Sequence, residues 1–251
     1  MPEVLQTTAI MCTVTYIPLK ENDFILTSNR DESPNRIPLQ PEFYEIDGTR
    51  ALFPKDTDAG GTWIGASDKQ RVLCLLNGGF SLHERASSYR KSRGLIVREL
   101  LVSDAIEDAI RQYDFIGIEP FTLVIVDWEN ELKCLELVWD GEIKHLKELM
   151  DQPVIWSSST LYSENMKAER KQWFEKFIDL KSLSAPNLLN FHCTAGKDNM
   201  DYGVVMDRGF VRTTSITQIV KQGDSLTMHF NDLKSDEQSS KILSLVQNVN
   251  G

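Results

Sequence analysis

The sequence predicts an α+β fold in which two sheets pack on each other beneath helices. Three observations carry this prediction. Strand-like runs rich in β-branched and aromatic residues come first, segments with helical spacing occupy the middle, and strands return near the end.

Residues 13–17 are β-branched and aromatic and predict a strand; residues 20–23 form a polar turn and residues 24–28 the returning strand. This hairpin delivers the run Asn29-Arg30-Asp31-Glu32 at its exit. Residues 33–58, rich in Pro, Asp and Arg, read as an excursion over the surface. The glycine-rich run 60–65 leads into a strand, and residues 71–76 form another that ends at Asn77-Gly78-Gly79. Leu95, Ile96, Val97, Leu100 and Leu101 predict a helix over residues 92–101, and Ser103 is placed to cap a second one through residue 113. Residues 121–128 and 132–139 read as two strands, and 154–156 as a short strand running into Ser157-Ser158-Ser159. Ser163 opens a charged amphipathic helix through residue 178, and residues 187–191 extend the helical part. Residues 209–220 and 225–230 close the chain as a hairpin around Gly223-Asp224, and the tail from Ser235 reads as a helix or a frayed end.

At 251 residues the chain is long enough to bury a large core without disulfides or metal. Residues 1–11 read as a leader, removed or preceding a true start, and residues 12–251 as one domain. A net charge of −10 argues against nucleic-acid or anionic-membrane binding. No apolar stretch approaches the roughly 20 residues of a membrane helix. The first ten residues contain neither Lys nor Arg, unlike a signal peptide, so a cytoplasmic setting is expected. Cys12, Cys74, Cys134 and Cys193 form no CxxC pair, so neither a metal nor another cofactor is expected. Walker and dinucleotide signatures are absent as well.

Cys12 is the leading candidate nucleophile. An ordinary thiol has a pKa of about 8.5 and is mostly protonated at neutral pH. Were Cys12 the first residue, its α-amine, with a pKa of about 7.7–8.0, would accept the thiol proton. The same residue also reads as a plain strand-end cysteine. Arg30 would stabilise the thiolate and Asp31 would orient the amine, or the motif is a solvated loop pairing Arg30 with Asp31 or Glu32. Asn77, before two glycines, suits an oxyanion donor, and reads equally as an Asn-Gly turn. Ser158 and Ser159 offer hydroxyls; Asn29 and Arg212 are candidates for binding substrate, or for capping a turn and sitting at a sheet edge.

In this order, Met11-Cys12, Asn29-Arg30-Asp31-Glu32, Gly60-Gly61-Thr62-Trp63-Ile64-Gly65, Asn77, Ser158-Ser159 and Arg212-Thr213 resemble the NRDE family, the homologues of transport and Golgi organisation protein 2. That family is similar to the N-terminal nucleophile hydrolases of the choloylglycine and penicillin V acylase type. The resemblance implies a four-layer αββα sandwich. It further implies attack of Cys12 on an amide carbonyl, with Arg30, Asp31, Asn77 and Ser159 assisting and Asn29, Trp63 and Arg212 facing substrate. Two departures stand out: in the acylases the arginine lies three residues before the aspartate, where this chain has Ser28, and asparagine replaces Ser159. The expected activity is hydrolysis of a non-peptide amide in a small molecule. The alternative is a non-catalytic carrier of haem or an acyl-lipid, and without a CxxCH any haem binding would be reversible.

Overall fold

The computed structural model describes residues 11–245; residues 1–10 of the predicted leader lie outside the described residues. Two antiparallel sheets stack face to face. The first contains β1 (Met11–Pro18), β2 (Phe24–Glu32), β10 (Val154–Ser157), β11 (Arg212–Gln222), β12 (Ser225–Asp232) and β13 (Glu237–Ser244), in the order β10-β1-β2-β11-β12-β13. The second runs β3-β4-β5-β6-β7-β8-β9: β3 (Pro38–Ile46), β4 (Thr49–Asp56), β5 (Ile64–Ser67), β6 (Arg71–Asn77), β7 (Phe121–Asp127), β8 (Lys133–Trp139) and β9 (Lys144–Glu148).

Helices α1 (Arg93–Leu101) and α2 (Ile106–Gln112) cover the second sheet, with α1 packed on β5 and β6. Helices α3 (Glu164–Leu180) and α4 (Ala185–Thr194) cover the first, with α4 on β2 and β11. The result is the four-layer αββα sandwich that the resemblance implies. The main core lies between the sheets and includes Val14, Leu26, Cys74, Val124 and Ile219. A second core joins Ile17 and Ile25 to Phe174, Leu188 and Phe191 of the helix layer. Ser163 caps α3 as predicted, its hydroxyl accepting from the Met166 N–H at 3.4 Å.

Three local expectations need correction, and one strand was not foreseen. Residues 33–58 are not a surface excursion but carry β3 and β4, joined by Asp47-Gly48 with φ of 51° and 78°. Two positive φ values suit the two-residue turn of a hairpin. The prolines are tolerated because Pro38 and Pro41 lie on an edge strand with a bulge between Leu39 and Glu42, while β4 pairs β5 only at Ala51 and Leu52 and leaves Pro54 clear. The described part of the tail carries strand β13, held in register on β12 from Ser225↔Ser244 to Asp232↔Glu237, and residues 246–251 lie outside the described residues. Backbone pairing there overrides a sequence of exposed serines and charges. Strand β9 had no expectation at all, being a polar edge. Ser103 does not cap α2, whose N-cap is Ala105; its hydroxyl donates to the Leu100 carbonyl at 2.8 Å and closes α1 instead.

Candidate active site

The β1–β2 register sets the site: Cys12 lies opposite Arg30, Met11 opposite Asp31 and Thr13 opposite Asn29. Opposed residues share a face and successive residues alternate. The pleat therefore splits the Asn-Arg-Asp-Glu run. Cys12, Arg30 and Glu32 face the space between the sheets, whereas Asn29 and Asp31 face the helix layer. All four motif residues are buried, because β2 is covered on both sides.

On the inner face Arg30 pairs with Asp56 at 3.0 Å and Glu32 at 3.4 Å, not with Asp31. Its guanidinium lies 4.5 Å from the centre of the Trp63 ring, and Arg36 completes the network through Glu32 and Asp56. Burial pulls the Arg30 pKa down, and the Glu32 and Asp56 carboxylates hold it up. Cys12 is 0 % exposed. Burial pushes its thiol well above the ordinary value, Cys74 and Asp31 add to that, and Arg30 opposes it. With residue 11 attached, Cys12 is thus a neutral, inert thiol.

On the outer face Asp31 accepts from the Thr213 hydroxyl at 2.6 Å and the Tyr162 hydroxyl at 2.8 Å. Burial raises its pKa to about 6 against the pull of Arg170, whose guanidinium stacks 3.8 Å from the Tyr162 ring centre. Asn29 ties β2 to the helix layer. Its amide donates to the Val204 carbonyl at 2.6 Å and the His192 carbonyl at 2.9 Å, and its Oδ1 lies 2.5 Å from His192 Nδ1. Since Asn29 Oδ1 can only accept, His192 carries its proton on Nδ1 and accepts at Nε2 from the Thr15 hydroxyl at 2.7 Å. Burial drops the His192 pKa to about 3.

These two groups oppose each other in pH. His192 falls from 6.5 to about 3 on folding, so its share of stability is whole above pH 6.5 and drains as pH falls toward 3. Asp31 rises from 3.8 to about 6, so its cost is whole above pH 6 and is relieved as pH falls toward 3.8. Over the shared window from about pH 6 to 4 they cancel, each with a slope of about 1.4 kcal/mol per pH unit. Relative to the parent, Asp31→Asn is expected to lose stability on acidification across that window and His192→Gln to gain it. Urea titrations at four pH values check this, and parallel profiles for all three proteins would sink it.

Asn77 ends β6, is 1 % exposed, and neither its amide nitrogen nor its amide oxygen has a partner among the described residues. Ser158 connects it to the thiol strand: the Ser158 hydroxyl donates to the Asn77 carbonyl at 2.6 Å, and the Ser158 N–H donates to the Cys12 carbonyl at 3.1 Å. Gly78 has φ +82°, and a Cβ there would fall 2.4 Å from Ser159 Oγ. Only glycine allows the loop past this point. Ser159 donates to the Gly79 carbonyl at 2.7 Å, bracing the same loop. Trp63 lines a neighbouring cleft of about 620 Å³. Arg212 starts β11 half-buried opposite Glu32, and its neighbour Thr213 reaches Asp31.

Residues 11–202 match the Transport and Golgi organisation 2 family. The chain belongs to that family. No curated protein sequence matches this family member. Among solved structures, it is similar to the N-acylethanolamine-hydrolyzing acid amidase orthologue of Caenorhabditis elegans, with TM-score 0.58 and 11% identity, covering 92% of this chain and 100% of the other. It is also similar to a variant of the conjugated bile acid hydrolase from Clostridium perfringens, with TM-score 0.51 and 12% identity, over 95% of this chain and 100% of the other. Both are N-terminal nucleophile hydrolases, and the chain shares their fold.

In this family member the register brings Cys12 and Arg30 onto one face, and Ser158 ties Cys12 to Asn77. Asn29, Asp31 and Arg212 lie elsewhere: the first two on the opposite face, Arg212 at the start of β11. Glu32, Asp56, Tyr162, Arg170 and Thr213 went unpredicted as site residues. Glu32 and Thr213 sat inside quoted motifs, whereas Asp56, Tyr162 and Arg170 have no local signal. Among the described residues no group of His, Cys, Asp or Glu is arranged to hold a metal, all four cysteines are free, and no helix is long and apolar enough to cross a membrane.

Proposed function

We propose that the chain is a cysteine hydrolase of a non-peptide amide in a small molecule, acting when Cys12 is its first residue. The observation that carries this reading is Asn77, a buried amide with both polar atoms unpartnered among the described residues, tied through Ser158 to the strand of Cys12. The Cys12 α-amine takes the Sγ proton, and the thiolate attacks the amide carbonyl. Asn77 Nδ2 donates to the resulting oxyanion. Collapse forms a thioester and expels the amine carrying the transferred proton; water then cleaves the thioester, releasing the acid and restoring the thiol. Arg30, on the same face, holds negative charge at sulfur. Asp31 lies across from Met11, where the new amine would begin, and this register supports a role in orienting it. Ser159 keeps the Asn77 loop in place, Trp63 and Arg212 remain candidates on the substrate side, and Asn29, its amide fully taken by His192 and Val204, serves to hold β2 instead. The neighbours named for amide hydrolysis support the reaction class. A cytoplasmic setting suits the four free thiols.

The test compares chains starting at Met1 and at Cys12 against a panel of fluorogenic N-acyl amides, alongside the intact mass of protein from its own source. Turnover confined to the chain starting at Cys12 is expected. Activity equal in both would defeat the amine-as-base mechanism. A form carrying residue 11 lacks the amine base, and for that form the second reading is a carrier of haem or an acyl-lipid. A saturable Soret change on haem titration, or retention of a fluorescent acyl-lipid, is its expected sign.

A further inference from the structure

The cleft beside Trp63 opens onto the start of α1, where Ser92, Arg93 and Gly94 form part of its wall. This helix end is uncapped: the Ser92 side chain makes no cap hydrogen bond and the first turn holds no acidic residue. The Leu95 N–H is taken by the Ser92 carbonyl at 3.1 Å, which leaves those of Arg93 and Gly94 without an intrahelical carbonyl. An independent donor stands in the same wall. Trp63 is 2 % exposed, and its indole N–H has no partner among the described residues.

Close backbone packing puts the segment that leads into Trp63 against the helix end. The Thr62 N–H donates to the Gly94 carbonyl at 3.1 Å, and a Cβ on Gly61 would fall 2.3 Å from the Gly94 carbonyl carbon. The charged side chains of the wall largely answer one another. Asp56 is met by Arg30 and Arg36, and Glu119 by Arg93 at 3.0 Å. The Arg93 and Gly94 amides and the Trp63 indole remain as donors in this wall, the two amides at the positive end of a helix dipole.

We propose that this cleft binds an oxyanion, a carboxylate or phosphate group of the amide substrate, on the N-terminus of α1 and the Trp63 indole. The binding site stands by itself; its assignment to substrate rests on the amidase reading. The substrate would then be an amide with an anionic group remote from the scissile bond. The cleft's own donors select for that group, as helix N-termini select phosphates and carboxylates.

The test titrates inorganic phosphate, and separately acetate, into the isotopically labelled full chain at constant ionic strength. It follows the Gly94 amide and Trp63 indole resonances. Saturable shifts of both are expected with at least one anion, and the stronger anion indicates which group the substrate carries. Ser92→Asp caps the helix with its own carboxylate, so its melting temperature should equal or exceed the parent's while the apparent Kd rises at least tenfold. Trp63→Phe, which removes the N–H but keeps a ring, is expected to weaken binding at least threefold. No saturation with either anion, or an unchanged Kd in Ser92→Asp, overturns the site. Because no turnover is read, these outcomes are independent of the amidase reading. For the chain starting at Cys12, an amide with a distal carboxylate should have a KM at least tenfold below that of its methyl ester, with similar kcat.

Discussion

Cys12→Ala, placed in the chain that starts at residue 12, is expected to lower amide turnover by at least about a thousandfold, as when a nucleophile is removed from its catalytic unit. The α-amine survives in this variant, so the loss isolates the sulfur. The fold should survive too. One buried sulfur atom is removed and nothing is added, a change near the small end of core substitutions. Cys193→Ala is the control. Cys193 is exposed and lies on α4, so its removal should leave both rate and melting temperature close to the parent. Turnover that persists in Cys12→Ala and vanishes in Cys193→Ala would reassign the nucleophile.

Arg30→Met is expected to cost roughly 3–5 kcal/mol of stability at neutral pH, the range for breaking a buried charge network from one side. Arg30 sits between Glu32 and Asp56 under the Trp63 ring, and Arg36 alone cannot answer both carboxylates at the same depth. Burial already raises the Glu32 pKa, and removing the first opposing charge raises it further. A carboxyl raised in the folded state is least costly when protonated, so the variant should regain stability as the pH falls toward the unfolded value of 4.5. Glu32→Gln in the same chain should restore part of the loss at pH 7. Urea unfolding of the single and double variants checks both statements; a loss below about 1 kcal/mol would show that the network is only loosely coupled.

Much of the fold was legible in the sequence. The β1–β2 hairpin, the β6 strand ending at Asn77, the Ser163 cap and the β11–β12 turn all carried strong local signals. The misses share a cause. The β3–β4 hairpin was masked by three prolines that only a bulge and an incomplete ladder can accommodate. Strand β13 was masked by serines and charges, because an edge strand is held by backbone pairing that side chains do not announce.

The candidate site divides along the same line. Sequence by itself determined which groups are present: one thiol beside a methionine, a guanidinium and carboxylates in one short run, and an asparagine before two glycines. The returning strand was expected to end at residue 28, so the alternation that sends Arg30 and Asp31 to opposite faces emerged only when β2 proved to run on through Glu32. Only the tertiary structure decided what each face meets. The inner face met the second sheet, and with it Asp56 and Trp63 as partners for Arg30. The outer face met the helix layer, which supplied Tyr162 and His192. These contacts join residues from 26 to 163 positions apart, and it is the stacking of sheets and helices that brings them within hydrogen-bonding distance.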